Sequence, residues 1–287
     1  MIDVRKIDLH MHSTASDGTD TPEELLEQVR NAGIELFALT DHDTVDGYAR
    51  IRSVLQEGDP QLLSGVEFSC KDEEGKYHIL GYGFDPDHPS VRQVVETGHR
   101  YRMEKVTARL DFLRKTFGFV FPEEAVRRLL RLHNPGKPHI GNLMVEYGYA
   151  ATKDEAISKY INQLRFRDEY IRPEEAIRGI LGAGGIPVLA HPAFGSGEEL
   201  IVGDELDCRL RRLIGYGLRG IEVFYSGFTP KLRDGALILA EKYGLLVTAG
   251  SDYHGKNKLV APGDTKLNQV QTIPGGVIRF LDEVGVL

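Results

Sequence analysis

The sequence predicts an α/β fold built around a parallel sheet, open or closed, and three observations carry that reading. Short apolar runs alternate with stretches of helical spacing through the first 85 residues. The same rhythm resumes after residue 170. Between the later runs lie helical stretches of 10 to 15 residues, the usual connection between parallel strands. Lys6 to His12 is the first expected strand. Thr21-Pro22-Glu23-Glu24 then supplies an N-cap, a proline at the first helical position and acidic first-turn residues, starting a helix that runs to Ala32 and stops at Gly33. A strand is expected over Ile34 to Thr40, a helix over Val45 to Leu55, and strands over Leu62 to Phe68 and Tyr77 to Tyr82. Beyond residue 170 the order is helix Pro173 to Ala183, strand Ile186 to Ala190, helix Leu206 to Gly215 and strand Gly220 to Phe224. Helix Lys231 to Tyr243 and strand Leu245 to Ala249 complete it.

From about 95 to 168 the rhythm breaks. This stretch is rich in Arg, Lys, Glu and Leu, with helical spacing at Val106, Leu110 and Leu113 and no strand. Pro135-Gly136-Lys137-Pro138-His139 is expected as a loop, followed by helices near 139–148 and 153–164. The division is therefore a barrel of residues 1–94 and 169–287 carrying a helical insertion, 95–168.

Composition narrows the function. Hydrophobic residues make up 41% and charged residues 27% of the 287, an ordinary globular balance. The net charge of −8, from 35 basic and 43 acidic residues, repels a nucleic-acid backbone at long range, so no duplex DNA partner is expected. It leaves room for a local basic pocket that takes a phosphorylated ligand. No apolar run reaches the ~18 residues of a membrane span, and the N-terminus lacks the build of a signal peptide. Only Cys70 and Cys208 occur, far apart, so buried thiols in a reducing cytoplasm are expected. Oligomeric state is not legible.

Histidine placement is the informative feature. Of 10 histidines, five fall at or shortly beyond an expected strand end, beside carboxylates. The first strand ends in His10-Met11-His12, with Asp17 just beyond. The second ends in Thr40-Asp41-His42-Asp43, the third carries Glu67, and the fifth ends at His191-Pro192. The run after Ala249 is Gly250-Ser251-Asp252-Tyr253-His254, and His78 lies within strand four. In H-x-H on a strand both imidazoles face the same side, because side chains alternate; Asp252 and His254 share that spacing. In a parallel barrel all strand C-termini open on one face. His10, His12, Asp17, His42, Glu67, His78, His191, Asp252 and His254 would then converge there. One buried histidine is more often a core partner than a ligand, but nine such groups at successive strand ends are not an accident of packing. Imidazole with carboxylate suits Zn²⁺, Mn²⁺ or Fe²⁺. Nine donors exceed one ion and fit two or three, with positions left for water and for metal-assisted displacement. Asp41 and Asp43 are expected either to orient a ligating imidazole or to cap the helix at 45. His88, His99 and His133 are read as solvated or packing residues.

The motifs HMHSTASDGTDTPEELL, LTDHDT, GVEFS, HILGYG, VLAHP and GSDYHG together resemble the polymerase-and-histidinol-phosphatase (PHP) domain family, specifically its stand-alone bacterial metal-dependent phosphoesterases. The resemblance implies a distorted (β/α)7, TIM-like barrel with a trinuclear centre. The first metal would take His10, His12, Glu67 and Asp252; the second would share Glu67 and add His78 and His191; the third would be held by Asp17, His42 and His254. It also implies hydrolysis of a small phosphomonoester, a nucleotide of the nucleoside 3′,5′-bisphosphate kind, by a metal-bridging hydroxide. Asp252, with His191 or His254, would relay the proton to the leaving oxygen. Lys137-Pro138-His139 stands where relatives carry Arg-Pro-His or Arg-Ala-His; lysine keeps the charge and loses the bidentate fork. Lys137, His139 and Arg100 are the candidate substrate contacts on the insertion, and Tyr225 and Ser226 those on the catalytic face. The competing readings are a histidinol-phosphate phosphatase, an exonuclease on short RNA and, more remotely, an amidohydrolase cleaving C–N bonds. Amidohydrolase sites commonly bridge metals through a modified lysine, where this chain has Glu67.

Overall fold

Ile7 and Leu36, from the first two expected strands, pair in a parallel ladder that Gln61 extends on its far side. In the computed structural model, which describes residues 2–166, 169–195 and 199–287, β1 (Ile7–Asp8), β2 (Leu36–Ala38) and β3 (Gln61–Leu63) form a three-stranded parallel sheet. The connecting helices are α1 (Pro22–Asn31) and α2 (Asp46–Val54). Helix α1 starts where its residues dictate. Glu24 N donates to Thr21 Oγ1 at 3.2 Å and Thr21 N to Glu24 Oε2 at 2.8 Å, satisfying two otherwise orphaned amides.

The expected strand 62–68 does not stay in one sheet. It bends at Ser64, and β4 (Gly65–Lys71) joins a second sheet of order β4-β5-β6-β7-β8, with β5 at Lys76–Tyr82, β6 at Ile186–Leu189, β7 at Gly220–Tyr225 and β8 at Leu246–Gly250. Here the all-parallel expectation fails. β5 runs antiparallel to both β4 and β6, and only the β6-β7-β8 pairs are parallel. The cause is length: Asp72 to Gly75 is too short for a crossover, so β4 and β5 form a hairpin. The charged Asp72-Glu73-Glu74-Gly75 between two apolar runs was the overlooked turn signal.

Regular pairing leaves two sheets rather than one closed seven-stranded barrel. Their edges meet through isolated contacts. Leu9 N donates to Ala249 O at 2.9 Å, Asp252 N donates to His10 O at 2.7 Å, and parallel bridges link Met11 to Tyr253 and His42 to Glu67. The edge contacts lie where the candidate ligands are.

The break at 95 is continuous helix. α3 (Pro89–Phe117) begins on the main core with Val91 and Val94 and ends in a second cluster with Val106 and Leu113. α4 (Glu123–Leu130), α5 (Lys137–Glu146) and the helical turns of 156–163 that follow the short α6 (Lys153–Glu155) complete that second cluster, which includes Leu129, Ile140, Met144 and Ile161. Lys137 and His139 thus belong to the first turn of α5 rather than to a loop. The expected end of the insertion at 168 lies outside the described residues. The later helices are α7 (Pro173–Gly182), α8 (Asp204–Tyr216) and α9 (Pro230–Tyr243), with α10 (Gly275–Glu283) added at the end. That last helix was not expected; it sets Phe280 edge-on to Tyr82 at 5.5 Å. Among the described residues, no helix is long and apolar enough to cross a membrane. Cys70 is buried, whereas Cys208 is exposed, contrary to the expectation that both thiols are hidden.

Candidate metal centre

Strand alternation sends Leu9 and Met11 into the apolar core and His10 and His12 to the opposite side, where their rings lie 5.2 Å apart. There they meet Glu67, which organises the cluster. Its Oε2 has His10 Nε2 at 3.2 Å, His12 Nε2 at 3.1 Å and His42 Nδ1 at 3.2 Å. Its Oε1 has His78 Nδ1 at 2.8 Å and His191 Nε2 at 3.2 Å. Asp252 Oδ1 lies 3.5 Å from His10 Nε2, 3.4 Å from His12 Nε2 and 3.3 Å from His254 Nδ1. Asp17 closes the far side, with Oδ1 3.3 Å from His254 Nε2 and Oδ2 3.9 Å from His42 Nε2. All nine expected groups are brought together.

The donor set fits divalent cations. Among the described residues, His10 Nε2, His12 Nε2 and His42 Nδ1 are buried without a hydrogen-bond partner, although each lies near a carboxylate oxygen. Two donors that share one tetrahedral ion at about 2.1 Å stand roughly 3.4 Å apart, which matches most of these separations. Four groups could each hold an ion: His10-His12-Glu67, His10-His191-Asp252, His42-Glu67-His78 and His12-Asp17-His42-His254. They overlap, so His10, His12, His42 and Glu67 each belong to two of them.

Surrounding groups fix the candidate ligands. Buried Glu222 takes His10 Nδ1 at 2.9 Å and accepts from His191 N at 2.8 Å, so His10 Nε2 is the nitrogen left for the cluster. Asp41 accepts from Ser13 N and Ser13 Oγ at 2.8 Å and from Ser16 Oγ at 2.6 Å. Asp43 accepts from Ser69 N at 2.8 Å and from Arg102 at 2.7 and 3.1 Å. Neither aspartate caps α2, whose N-cap position is Val45 without a side-chain bond. Gly250 is required by closeness: a Cβ there would stand 2.2 Å from His10 Cβ and 2.5 Å from Glu222 Oε1. Asp43, His191 and Asp252 all have positive φ, at 53°, 25° and 57°, a cost that non-glycine residues accept mainly at functional sites.

Electrostatics follow from burial among opposite charges. Burial raises the Glu67 carboxyl, but His78, His42 and His10 outweigh it and hold the group well below the usual range. Asp17 and Asp252 are held low in the same way, by His42 and His254 and by His10, His254 and Lys258 respectively. Burial pulls the His12 imidazole down while Asp252 and Glu67 raise it more, to about 9. For His42 desolvation wins, and the group falls to about 3.

The substrate-contact candidates divide. Tyr225 lies in the centre, donating to Asp252 Oδ2 at 3.0 Å. Ser226 donates to Ser251 O at 2.6 Å. Lys137 lines a cavity beside the cluster and donates to Asn162 Oδ1 at 2.6 Å, while His139 Nδ1 accepts from Gly136 N at 3.0 Å. Arg100 is not brought to the site: its side chain is 60% exposed and turns to Glu104 and Tyr101. Two residues along a helix is a rotation of about 200°, so Arg102 faces inward instead. Three groups escaped the sequence reading. Glu222 had a usable signal, an acid in the apolar run Ile221 to Tyr225. Arg102 had none without the helix's orientation. Lys258, which contacts Asp252 Oδ2 and donates to Tyr225 at 2.8 Å, sits in a loop without a motif. His88 instead caps α3, His133 pairs with Asp46, and His99 meets Asn134.

The sequence pattern of the PHP domain matches residues 8–164, more than half of the chain. This chain belongs to the PHP domain family. A phosphoribosyl 1,2-cyclic phosphate 1,2-diphosphodiesterase of Eggerthella lenta is 33% identical, covering 87% of this chain and 94% of its own length. A 3′,5′-nucleoside bisphosphate phosphatase of Chromobacterium violaceum is 29% identical, covering 90% and 88%. A solved structure from Bifidobacterium adolescentis, itself assigned by prediction as a metal-dependent phosphoesterase, superposes with a TM-score of 0.80 at 29% identity over 96% of both chains. This PHP protein is a metal-dependent phosphoesterase, a hydrolase.

Proposed function

We propose that this PHP protein hydrolyses a small phosphomonoester, a nucleotide of the nucleoside 3′,5′-bisphosphate kind. The observation that carries this reading is Glu67, one carboxylate with imidazoles on both oxygens, three against Oε2 and two against Oε1. With ions bound, Glu67 would be placed to hold more than one of them, and the metal ligands on this reading are His10, His12, Asp17, His42, Glu67, His78, His191, Asp252 and His254. Two or three divalent ions of Mn, Fe or Zn, when bound, supply polarisation of phosphoryl oxygens and a nucleophilic water.

The chain's own residues do the rest. Glu222 fixes the His10 tautomer, and Asp41 with Ser13 and Ser16 sets the backbone after the first strand. Asp252, steadied by Tyr225 and Lys258, stands with His191 and His254 where a proton reaches the leaving oxygen. Lys137, His139, Tyr225 and Ser226 line the approach. On this reading residues 95–168 form a substrate-selecting lid on a distorted (β/α)7 barrel, with the edge contacts between the two sheets as the barrel's seams. The Glu67 bridge, in place of a modified lysine, favours phosphoester over C–N chemistry.

The test is phosphate release in Mn²⁺ from p-nitrophenyl phosphate and from nucleoside 3′-, 5′- and 3′,5′-phosphates, with a cyclic sugar phosphate included because of the Eggerthella relative. Release that persists unchanged in His10→Ala ends the proposal, as does release from none of the panel.

A further inference from the structure

Val106, Leu113, Leu129, Ile140, Met144 and Ile161 give the insertion an apolar cluster of its own, which α3 carries away from the main core. A unit with its own core, docked through polar contacts, can shift against its neighbour. Two of those contacts reach the backbone of candidate metal ligands. Asn134, in the turn before α5, is 1% exposed; its Nδ2 donates to the carbonyl of His42, and its Oδ1 faces His99 Nδ1 at 3.4 Å. On the other side of the cluster Lys153 Nζ, at the start of α6, donates to Asn257 O at 2.7 Å. Asn257 closes the turn Gly255–Asn257. Its Nδ2 donates to Asp17 O at 2.8 Å and its backbone N to His254 O at 3.3 Å.

Asp17, His42 and His254 are three of the four residues in the candidate group His12-Asp17-His42-His254. The two attachments therefore stand on either side of one ion's place, with His42 Nε2 and Asp17 Oδ2 3.9 Å apart across it. Arg102 reinforces the first attachment by holding Asp43, the chain neighbour of His42. The donors around His10 are supported differently. His10 Nδ1 and His191 N both turn to Glu222 of β7, and Asp252 Oδ2 accepts from Tyr225 of the same strand. Those donors are held from the five-stranded sheet, whereas Asp17, His42 and His254 are held in part from the insertion.

We infer that docking of the insertion is coupled to occupancy of the ion site formed by Asp17, His42 and His254, through Asn134 on one side and Lys153 with Asn257 on the other. With Asp17 and His42 drawn to a common ion, the two backbones on which the insertion stands are fixed. A docked insertion in turn holds those ligands where the ion needs them. Such coupling is reciprocal: the factor by which docking tightens the ion equals the factor by which the ion tightens docking. The inference rests on the ligand set proposed above. It makes Asn134, Lys153 and Asn257 positioning residues that act through His42, Asp17 and His254, and it confines their effect to one ion of the cluster.

The experiment titrates the metal-free protein with Mn²⁺ against a competing chelator and follows amide hydrogen exchange in α5 with and without the metal. The proteins are the parent, Lys153→Met, Lys153→Arg and, at an exposed position of α3, Arg114→Gln. In the parent, Mn²⁺ is expected to slow exchange in α5. Lys153→Met is expected to weaken one ion by about tenfold, the low end for loss of a group that orients a ligand, and to shrink the slowing of exchange by a like factor. The remaining ions are expected to bind as in the parent. Lys153→Arg keeps a donor and is expected to restore most of both effects, and Arg114→Gln to change neither. No slowing in the parent, or a Lys153→Met protein that matches the parent in affinity and exchange, overturns the coupling and leaves the ligand set standing. Equal weakening of every ion in Lys153→Met also overturns it, and a parent that binds no Mn²⁺ overturns coupling and ligand set together. Thermal melts of the metal-free proteins check folding, and Asn257→Ala repeats the test if Lys153→Met melts early.

Discussion

Two cavities that share His42 and His78 are built on opposite principles. One gathers three carboxylates and six imidazoles at strand ends, a surplus of anionic and lone-pair donors that calls for cations. The other is lined largely by cations, three of them on one face of α3. The difference also separates what strands and helices can do. A strand end fixes direction through alternation, so the donors converge to about 3 Å; a helix face spaces its cations about a turn apart.

The sharpest way to break the comparison is to change Glu67. Glu67→Gln keeps the shape and loses the charge that five imidazoles face; phosphatase turnover is expected to fall by about 10³-fold, at the upper end for loss of one preorganised electrostatic group, measured by phosphate release. Arg102→Met attacks the border between the two cavities. It leaves Asp43 buried and unpaired and is expected to destabilise the fold by about 3 kcal/mol in urea melts. Burial raises the Asp43 carboxyl, but Arg102 and His42 bring it below the ordinary value. A lowered folded-state pKa means that the pair's contribution is complete above about pH 4 and is lost as pH falls further. In Arg102→Met that acid limb should flatten.

Glu222→Gln is a smaller perturbation, since it changes only the partner of His10 Nδ1. Metal affinity is expected to fall about 10- to 100-fold in a competition titration, with the fold intact by circular dichroism. Smallest of all is Arg100→Ala, on the outward side of α3. It should change kcat/KM by less than about twofold and stability by under ~0.5 kcal/mol. A larger loss would show that α3 presents a different face to the site.

The metal side was legible because its signal is local: H-x-H at a strand end, an acid or a histidine at the end of each next apolar run. Alternation then gives direction without knowledge of the fold. The cationic side was not, because the choice between Arg100 and Arg102 is a matter of helix rotation, which depends on packing of Val91, Val94, Val106 and Leu113. The parallel order was overextended for a related reason. Rhythm sees strands and helices, whereas the reversal at β5 depends on four residues, Asp72 to Gly75, whose charge and glycine mark a turn. The bend at Ser64, which passes one strand to a second sheet, had no mark at all in an apolar run.

Equilibrium dialysis of the purified protein against Mn²⁺, with bound metal counted per chain by mass spectrometry, tests the heart of this account. Two or three ions per chain in the parent, falling in Glu67→Gln together with phosphate release, is the predicted result. A parent chain that retains no divalent ion while still releasing phosphate would contradict it.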